Sequence, residues 1–297
     1  MNTMNRRKFI RTGLTGLAGL SVMSASASNL QFRSPKSLRV DQVTLGNSGL
    51  IVSRIAMGTG SIGGNHASNQ TRLGMDSFVK LARHAYECGI NFYDMADSYG
   101  SMPYVGNAIK GLPREKVVLL TKMWTQEDAT QREPADKILD RFRSEAGTDY
   151  FDILLLHCMM KSNWHETRKY YMDVFSKAKQ DGIVKAVGIS CHELGALAEA
   201  AVNPWVDVIM ARINPFGTAM DGTPDAVKAI LKTAKKNGKG VIGMKIFGEG
   251  KHVTVDERQR SLQYVLTEGN VHCMTLGLES EEQMDDAIER VNKILQI

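Results

Sequence analysis

Eight short apolar runs alternate with longer segments of helical period along this 297-residue chain, at about 53–58, 90–95, 116–122, 151–157, 184–190, 206–211, 240–245 and 271–276. Runs that are apolar on both faces suit strands buried between two layers, as in a parallel sheet covered by helices. The intervening faces keep the i, i+3, i+4, i+7 spacing: Met75, Phe78, Val79, Ala82 and Tyr86 after the first run, and Met284, Ala287, Ile288, Val291 and Leu295 after the last. Eight such units close on themselves, so an α/β fold of the (β/α)8 TIM-barrel type is expected. A hairpin-like DQVTLGNSGLIVS precedes the first unit. The barrel is placed over 42–297 as a single domain, with 29–41 as a linker.

Barrel enzymes keep their chemistry at the C-terminal ends of the strands. Three successive runs end there on polar side chains: NFYDMADSYG carries Asp94 and Tyr99, KVVLLTK ends on Lys122, and FDILLLH ends on His157. A carbonyl that accepts hydride must also gain a proton, and a phenol of ordinary pKa about 10 needs a nearby cation to act near neutrality. Lys122 is placed to supply that cation, Asp94 to hold it, and His157 to orient the substrate oxygen or share the proton. The plain alternative is a structural Asp94–Lys122 ion pair, a loop aromatic and a packed core histidine. Four suitable residue types in register on one face argue for chemistry. Farther along, Ser190-Cys191-His192-Glu193 has the pattern of a capping box opening the next helix.

The N-terminus carries a different message. NRRKFIRTGLTGLAGLSVMSASAS joins adjacent arginines to a Gly-rich apolar run and an Ala25-Ser26-Ala27 end, so residues 1–28 resemble a twin-arginine signal peptide. Export of a folded chain to the periplasm follows as an expectation, with the twin-arginine machinery as a partner. The apolar run from Thr12 to Met23 is too short for a bilayer core of about 30 Å, so no stable membrane span is expected after processing. The leader holds four cations and no acid, so removing it takes the formal net charge from +5 to +1. That leaves no basic surplus for nucleic acid, and Lys232, Lys235, Lys236 and Lys239 read as a solvated helix face. Cys88, Cys158, Cys191 and Cys273 are scattered without a CxxC, which speaks against an iron–sulfur cluster. Cys158 and Cys191 follow strand ends that neighbour each other, yet folding before export favours thiols. No metal-ligand set is expected.

Taken together, LGNSGLIVSRIAMGTG, NFYDMADSYG, LLTKMW, LLLHCM and GISCHELGAL resemble the aldo/keto reductase superfamily over about 42–295. KGVIGMKIFGEG and VHCMTLGLESEEQMDDAIE look most like a bacterial branch that often carries an added iron–sulfur domain. The resemblance implies hydride transfer between a nicotinamide dinucleotide and a carbonyl or alcohol, with Tyr99 as general acid and no GxGxxG motif. It also implies a cofactor site built from Gly58, Thr59, Ser190, Cys191, Met210, Asn214, Met244, Lys245, Gly277, Ser280 and Gln283. Three of these depart from the family pattern: Cys191 stands where asparagine is usual, Met210 where glutamine is usual, and Met244 where a tyrosine usually stacks on the nicotinamide. NADP(H) is the family default. NAD(H) is the alternative, because Glu279, Glu281 and Glu282 repel a 2′-phosphate, although a helix start at Ser280–Gln283 attracts one. A catalytically silent nicotinamide-binding barrel, acting as sensor or partner subunit, is the competing reading. A sugar isomerase or epimerase would bring more metal-binding carboxylates than Asp94 and Asp97. Trp124, Trp164 and Phe216 are candidate substrate contacts.

Overall fold

The computed structural model describes residues 38–126 and 133–297. The leader and residues 29–37 of the linker lie outside them. Strands β1 (Gln42–Thr44) and β2 (Ile51–Ser53) form an antiparallel hairpin. Among the described residues, eight parallel strands then close a barrel in chain order: β3 (Ile55–Gly58), β4 (Phe92–Asp94), β5 (Val118–Trp124), β6 (Phe151–Met159), β7 (Val184–Cys191), β8 (Val208–Arg212), β9 (Gly240–Met244) and β10 (Cys273–Leu276). β10 pairs with β3 to complete the ring. The connecting helices are α1 (Asn69–Arg72), α2 (Met75–Glu87), α3 (Met102–Ile109), α4 (Ala135–Ala146), α5 (Trp164–Thr167), α6 (Lys169–Gln180), α7 (Leu194–Val202), α8 (Pro224–Lys236), α9 (Val255–Thr267) and α10 (Glu281–Leu295). The expected barrel is therefore the observed one.

The period of two along each strand separates two cores. Ala56, Phe92, Val118, Leu120, Ile153, Leu155, Ala186, Val208, Met210 and Ile242 share an inner cluster with Leu45, Leu50 and Val52 of the hairpin. Alternate residues such as Ile55, Met57, Leu119, Leu154, Val187 and Ile189 join the helical faces in an outer cluster. The hairpin thus plugs the bottom of the barrel, and full burial of Leu45 and Val52 contributes about 1.5–3 kcal/mol each. Its turn needs Gly46, at φ +54°, because a Cβ there would sit 2.5 Å from the backbone nitrogen of Gly240.

Several strands start about two residues later than their apolar runs. Ile90 and Val206 are buried, but their N–H groups bond to Ala85 and Asn203 in the preceding turns instead of entering the ladder. β6 runs past its expected end because its register with β7 shifts between Leu156 and Met159, where Cys158 adopts φ +64°.

Candidate active site

Asp94, Lys122 and His157 share the inward parity of Phe92, Leu120 and Leu155 on their strands, which aims all three side chains into the barrel mouth. Tyr99 arrives from a 3-10 turn, Asp97–Tyr99, that follows β4. The ammonium of Lys122 donates to the Asp94 carboxylate and to the carbonyl of Met95 at 2.9 Å. The other oxygen of Asp94 accepts from the Thr275 hydroxyl of β10 at 2.9 Å. Lys122 is 1% exposed, and its Nζ lies 4.9 Å from the centre of the Tyr99 ring. All four expected residues therefore meet at one place.

Burial disfavours the Lys122 ammonium, but Asp94 and Tyr99 more than offset it, so its pKa lies above the ordinary lysine value. For Tyr99 the balance falls the other way. Burial raises the phenol pKa, the charge of Lys122 lowers it, and burial wins. Lys122 draws the phenol down as expected, but burial outweighs it, so Tyr99 is a protonated donor near neutrality. Burial, followed by the charges of Lys122, His192 and Lys245, takes His157 well below the usual histidine value. This neutral imidazole stands edge-on to Tyr99 at 5.7 Å and to Trp124 at 5.6 Å between ring centres. Its Nδ1 is buried without a hydrogen-bond partner among the described residues.

Two glycines missing from the sequence reading set the position of the phenol. A Cβ on Gly60 would lie 2.3 Å from Cε2 of Tyr99, and one on Gly63 would lie 2.6 Å from Cδ1. Only a bare backbone lets the β3–α1 loop pass so close to the ring. The signal was the glycine-rich TGSIGG directly after β3, at a strand end where a close backbone approach has chemical use.

The residues expected to hold a cofactor divide into two groups. Ser190 near the end of β7, Met210 in the middle of β8 and Met244 at the end of β9 all face the barrel interior, with the Ser190 hydroxyl accepting from the Cys158 N–H at 2.8 Å. Gly58 ends β3 beside Asp94, where a Cβ would meet the Thr275 hydroxyl at 2.8 Å. Gly277, Ser280 and Gln283 gather at the start of α10. Ser280 caps that helix by accepting from the Gln283 N–H, and Gly277 lies so close to Ser61 that a Cβ would be 2.0 Å from its hydroxyl. Of the acidic residues there, Glu279 accepts from Asn69 at 2.8 Å and Glu281 pairs with Lys80 at 3.1 Å.

The remaining candidates are committed elsewhere. Cys191 has the opposite parity to Ser190, so its thiol lies in the outer core. The Thr59 hydroxyl is fully buried between the Asp94 carbonyl and Ser101, at 2.8 and 2.7 Å. The Asn214 carboxamide ties its own loop together, donating to Thr218 and Lys245 carbonyls and accepting from Phe216. Lys245 sits at φ +58° and pairs with Glu249 at 2.9 Å. Ser190 belongs to β7, and Glu193 is the residue that caps α7, accepting from Gly195 and Ala196. Trp164 is core packing at 1% exposure, and Phe216 stacks on His252 at 3.8 Å. The sequence reading also missed Arg212, which ends β8 by donating to Asp221 at 2.6 Å and to the His192 carbonyl at 3.0 Å. All four cysteines are free.

The family model described as the aldo/keto reductase family matches residues 54–296, nearly the whole barrel. The chain belongs to the aldo/keto reductase family. Among curated relatives it is similar to an NADH-specific methylglyoxal reductase of Escherichia coli, at 28% identity over 199 residues, a match that spans 61% of either chain. It is also similar to an L-galactose dehydrogenase of Arabidopsis thaliana, at 27% identity over 294 residues, covering 86% of this chain and 89% of that one. Of the solved structures, a putative aldo-keto reductase from Pseudomonas aeruginosa superposes with a TM-score of 0.73 at 19% identity, covering 89% of this chain and all of the other. The holo form of an aldo-keto reductase from Bacillus halodurans gives 0.64 at 20% identity, covering 85% and 91%. Members of this family are oxidoreductases, and NAD(P)H is their usual reductant.

Proposed function

We propose that the chain reduces a small carbonyl, or oxidises the matching alcohol, with a nicotinamide dinucleotide as hydride carrier and Tyr99 as general acid. The observation that carries this reading is the buried Lys122 ammonium, fixed by Asp94 and the Met95 carbonyl directly beside the phenol ring. When bound, the dinucleotide would supply or accept the hydride. Tyr99 gives its proton to the substrate oxygen, and Lys122 stabilises the phenolate left behind. Asp94 keeps that ammonium from swinging away, while neutral His157 donates a hydrogen bond to the same oxygen.

The wall of Ser190, Met210 and Met244 fits one face of a flat, mostly apolar ring, with methionine sulfur in place of an aromatic partner. The N-terminus of α10, capped by Ser280, offers N–H groups suited to a phosphate group. Glu279, Glu281 and Glu282 support NAD(H) over NADP(H), as does the NADH specificity of the Escherichia coli relative. The two curated relatives point to small dicarbonyls and sugars as the first substrates to screen.

The leader supports export by the twin-arginine route to the periplasm, outside the main pool of free nucleotide. Cofactor loaded before export would dissociate slowly and be recycled on the protein by a second alcohol or carbonyl. The test is to isolate exported protein, denature it and assay the supernatant for NAD and NADP. Near-stoichiometric nucleotide is the expected result. Folded protein that arrives empty and binds added nucleotide weakly would sink the scheme, and would favour the silent barrel for which Met210 and Met244 argue.

A further inference from the structure

Helices α2 and α10 pack together on the outside of the barrel, next to the β3–β10 seam that closes it. His84, in the last turn of α2, and Cys88, the residue that caps its C-terminus, lie four residues apart on one face. Asp285 of α10 meets them. Nε2 of His84 is 2.7 Å from Oδ1 of Asp285, the Cys88 sulfur is 3.7 Å from Nε2, and all three donor atoms lie within 4.8 Å of one another. We propose that His84, Cys88 and Asp285 bind one zinc-class divalent cation, which clips the first long helix of the barrel to the last.

The donor set and its spacing carry the proposal. Nitrogen, thiolate and carboxylate donors are those that a borderline cation such as Zn2+ takes, with bonds of about 2.0–2.3 Å in a tetrahedron. Such a tetrahedron separates its donor atoms by roughly 3.3–3.7 Å. The sulfur–nitrogen pair already has that spacing, and the His84–Asp285 pair reaches it by opening less than about 1 Å. The side chain of Asp285 is 41% exposed and that of His84 is 11% exposed, so the cluster has an entry path and room for water as the fourth ligand. On loading, the thiol releases its proton to solvent, and the ion gains sulfur, nitrogen and oxygen bonds together.

The simplest rival role, a reactive thiol, fits poorly. Burial, then the carboxylates of Asp285 and Glu87, push Cys88 up to about 11, so the free thiol is protonated and a weak nucleophile. The same carboxylates, with Glu281 behind them, favour a cation. The clip would join residues 201 positions apart, and closing so long a loop removes more chain entropy than closing a short one. No metal is expected from the sequence, where a pair four residues apart and a third residue two hundred positions on form no ligand motif. None of the three touches the mouth, so the ion would act on stability alone.

The test is titration of chelator-treated, folded protein with Zn2+ and with Co2+. One equivalent of Zn2+ should bind and raise the melting temperature. The Co2+ adduct should show tetrahedral visible bands and a near-ultraviolet sulfur-to-cobalt charge-transfer band. Cys88→Ser should abolish that band, and Asp285→Asn, at a half-exposed position, should weaken binding at least about tenfold, with turnover unchanged in both. No stoichiometric binding, or a charge-transfer band that survives Cys88→Ser, would overturn the proposal.

Discussion

Two of the barrel's aspartate-centred ion clusters, one at each end, are built differently. At the bottom, Asp152 accepts from Arg114 at 3.0 Å, from the Leu119 N–H at 2.9 Å and from Lys185 at 2.8 Å. Both cations lie over the Tyr150 ring, at 3.9 and 4.4 Å, and both side chains reach water. At the mouth, Asp94 holds one cation that does not. Lys122 is almost wholly desolvated, and the third group beside it is a titratable phenol held by glycine backbone rather than a ring that merely covers the charges. A buried ion pair is therefore not a catalytic sign in itself. The sign is a cation stripped of water whose remaining neighbour can exchange a proton.

The largest effects should separate the two ends. Tyr99→Phe removes only a hydroxyl, so carbonyl reduction should fall by about 10²–10⁴-fold with stability nearly unchanged. Lys122→Met should lose a similar factor and also cost about 3–5 kcal/mol of stability, because Asp94 is left as an unpaired buried charge. Asp152→Asn should behave in the opposite way, costing about 1–3 kcal/mol in urea unfolding while turnover per folded molecule stays the same. A tenfold loss of turnover in Asp152→Asn would erase the distinction between the two ends.

A smaller effect tests the glycine contact. Gly60→Ala puts a methyl within 2.3–2.4 Å of Tyr99 ring atoms, so the ring must move. Displacing the acid by about 1 Å should cost up to roughly 10²-fold in turnover, with a stability loss of about 1–3 kcal/mol. Unchanged steady-state kinetics would show that the ring need not sit where the glycines hold it.

These contacts also mark how far the sequence could be read. The strands were legible because runs apolar on both faces can bury only one way, and Asp94, Lys122 and His157 were legible because each ends such a run. What stayed hidden was pairing across the chain. Thr275 bonds to Asp94 from 181 positions away, and His84 meets Asp285 across 201. Gly60 touches a ring 39 residues later, and no local pattern encodes that contact. Cys191 was misplaced for a local reason. The alternation that turns Ser190 inward turns the next residue out, so adjacent strand residues cannot both serve the mouth.

The pH dependence of turnover offers a finer comparison. Tyr99 has its pKa above the ordinary phenol value and His157 has its pKa well below the ordinary histidine value. Neither changes charge near neutrality. For reduction, kcat/KM should stay level from about pH 6.5 to 9 and fall only above about pH 10, where the proton donor is lost. A limb near pH 6.5 that disappears in His157→Gln would mean that the histidine titrates normally and that the mouth is wetter than its burial indicates.

An effect confined to acid pH belongs to the bottom end. His272, just before β10, accepts the Val241 N–H on Nδ1 at 3.0 Å, a bond that requires the neutral ring. Burial, then the charges of Lys235 and Arg54, bring its pKa down to about 4. The unfolded chain, with an ordinary value near 6.5, binds the proton first as pH falls. Between about pH 6.5 and 4 the unfolded state therefore holds more protons, so stability declines with acidity through that window and this contribution levels off below it. His192, also near 4, adds a decline of the same sign at the mouth, so wild type alone cannot assign it. His272→Gln keeps an acceptor for Val241 but cannot titrate. Near pH 7 it should match wild type within about 0.5 kcal/mol, and on acidification it should gain steadily on wild type as far as pH 4. Urea midpoints taken every half unit would show this. A gap independent of pH would mean that His272 keeps a normal pKa, and that the bottom of the barrel is as tolerant of charge there as it is around Asp152.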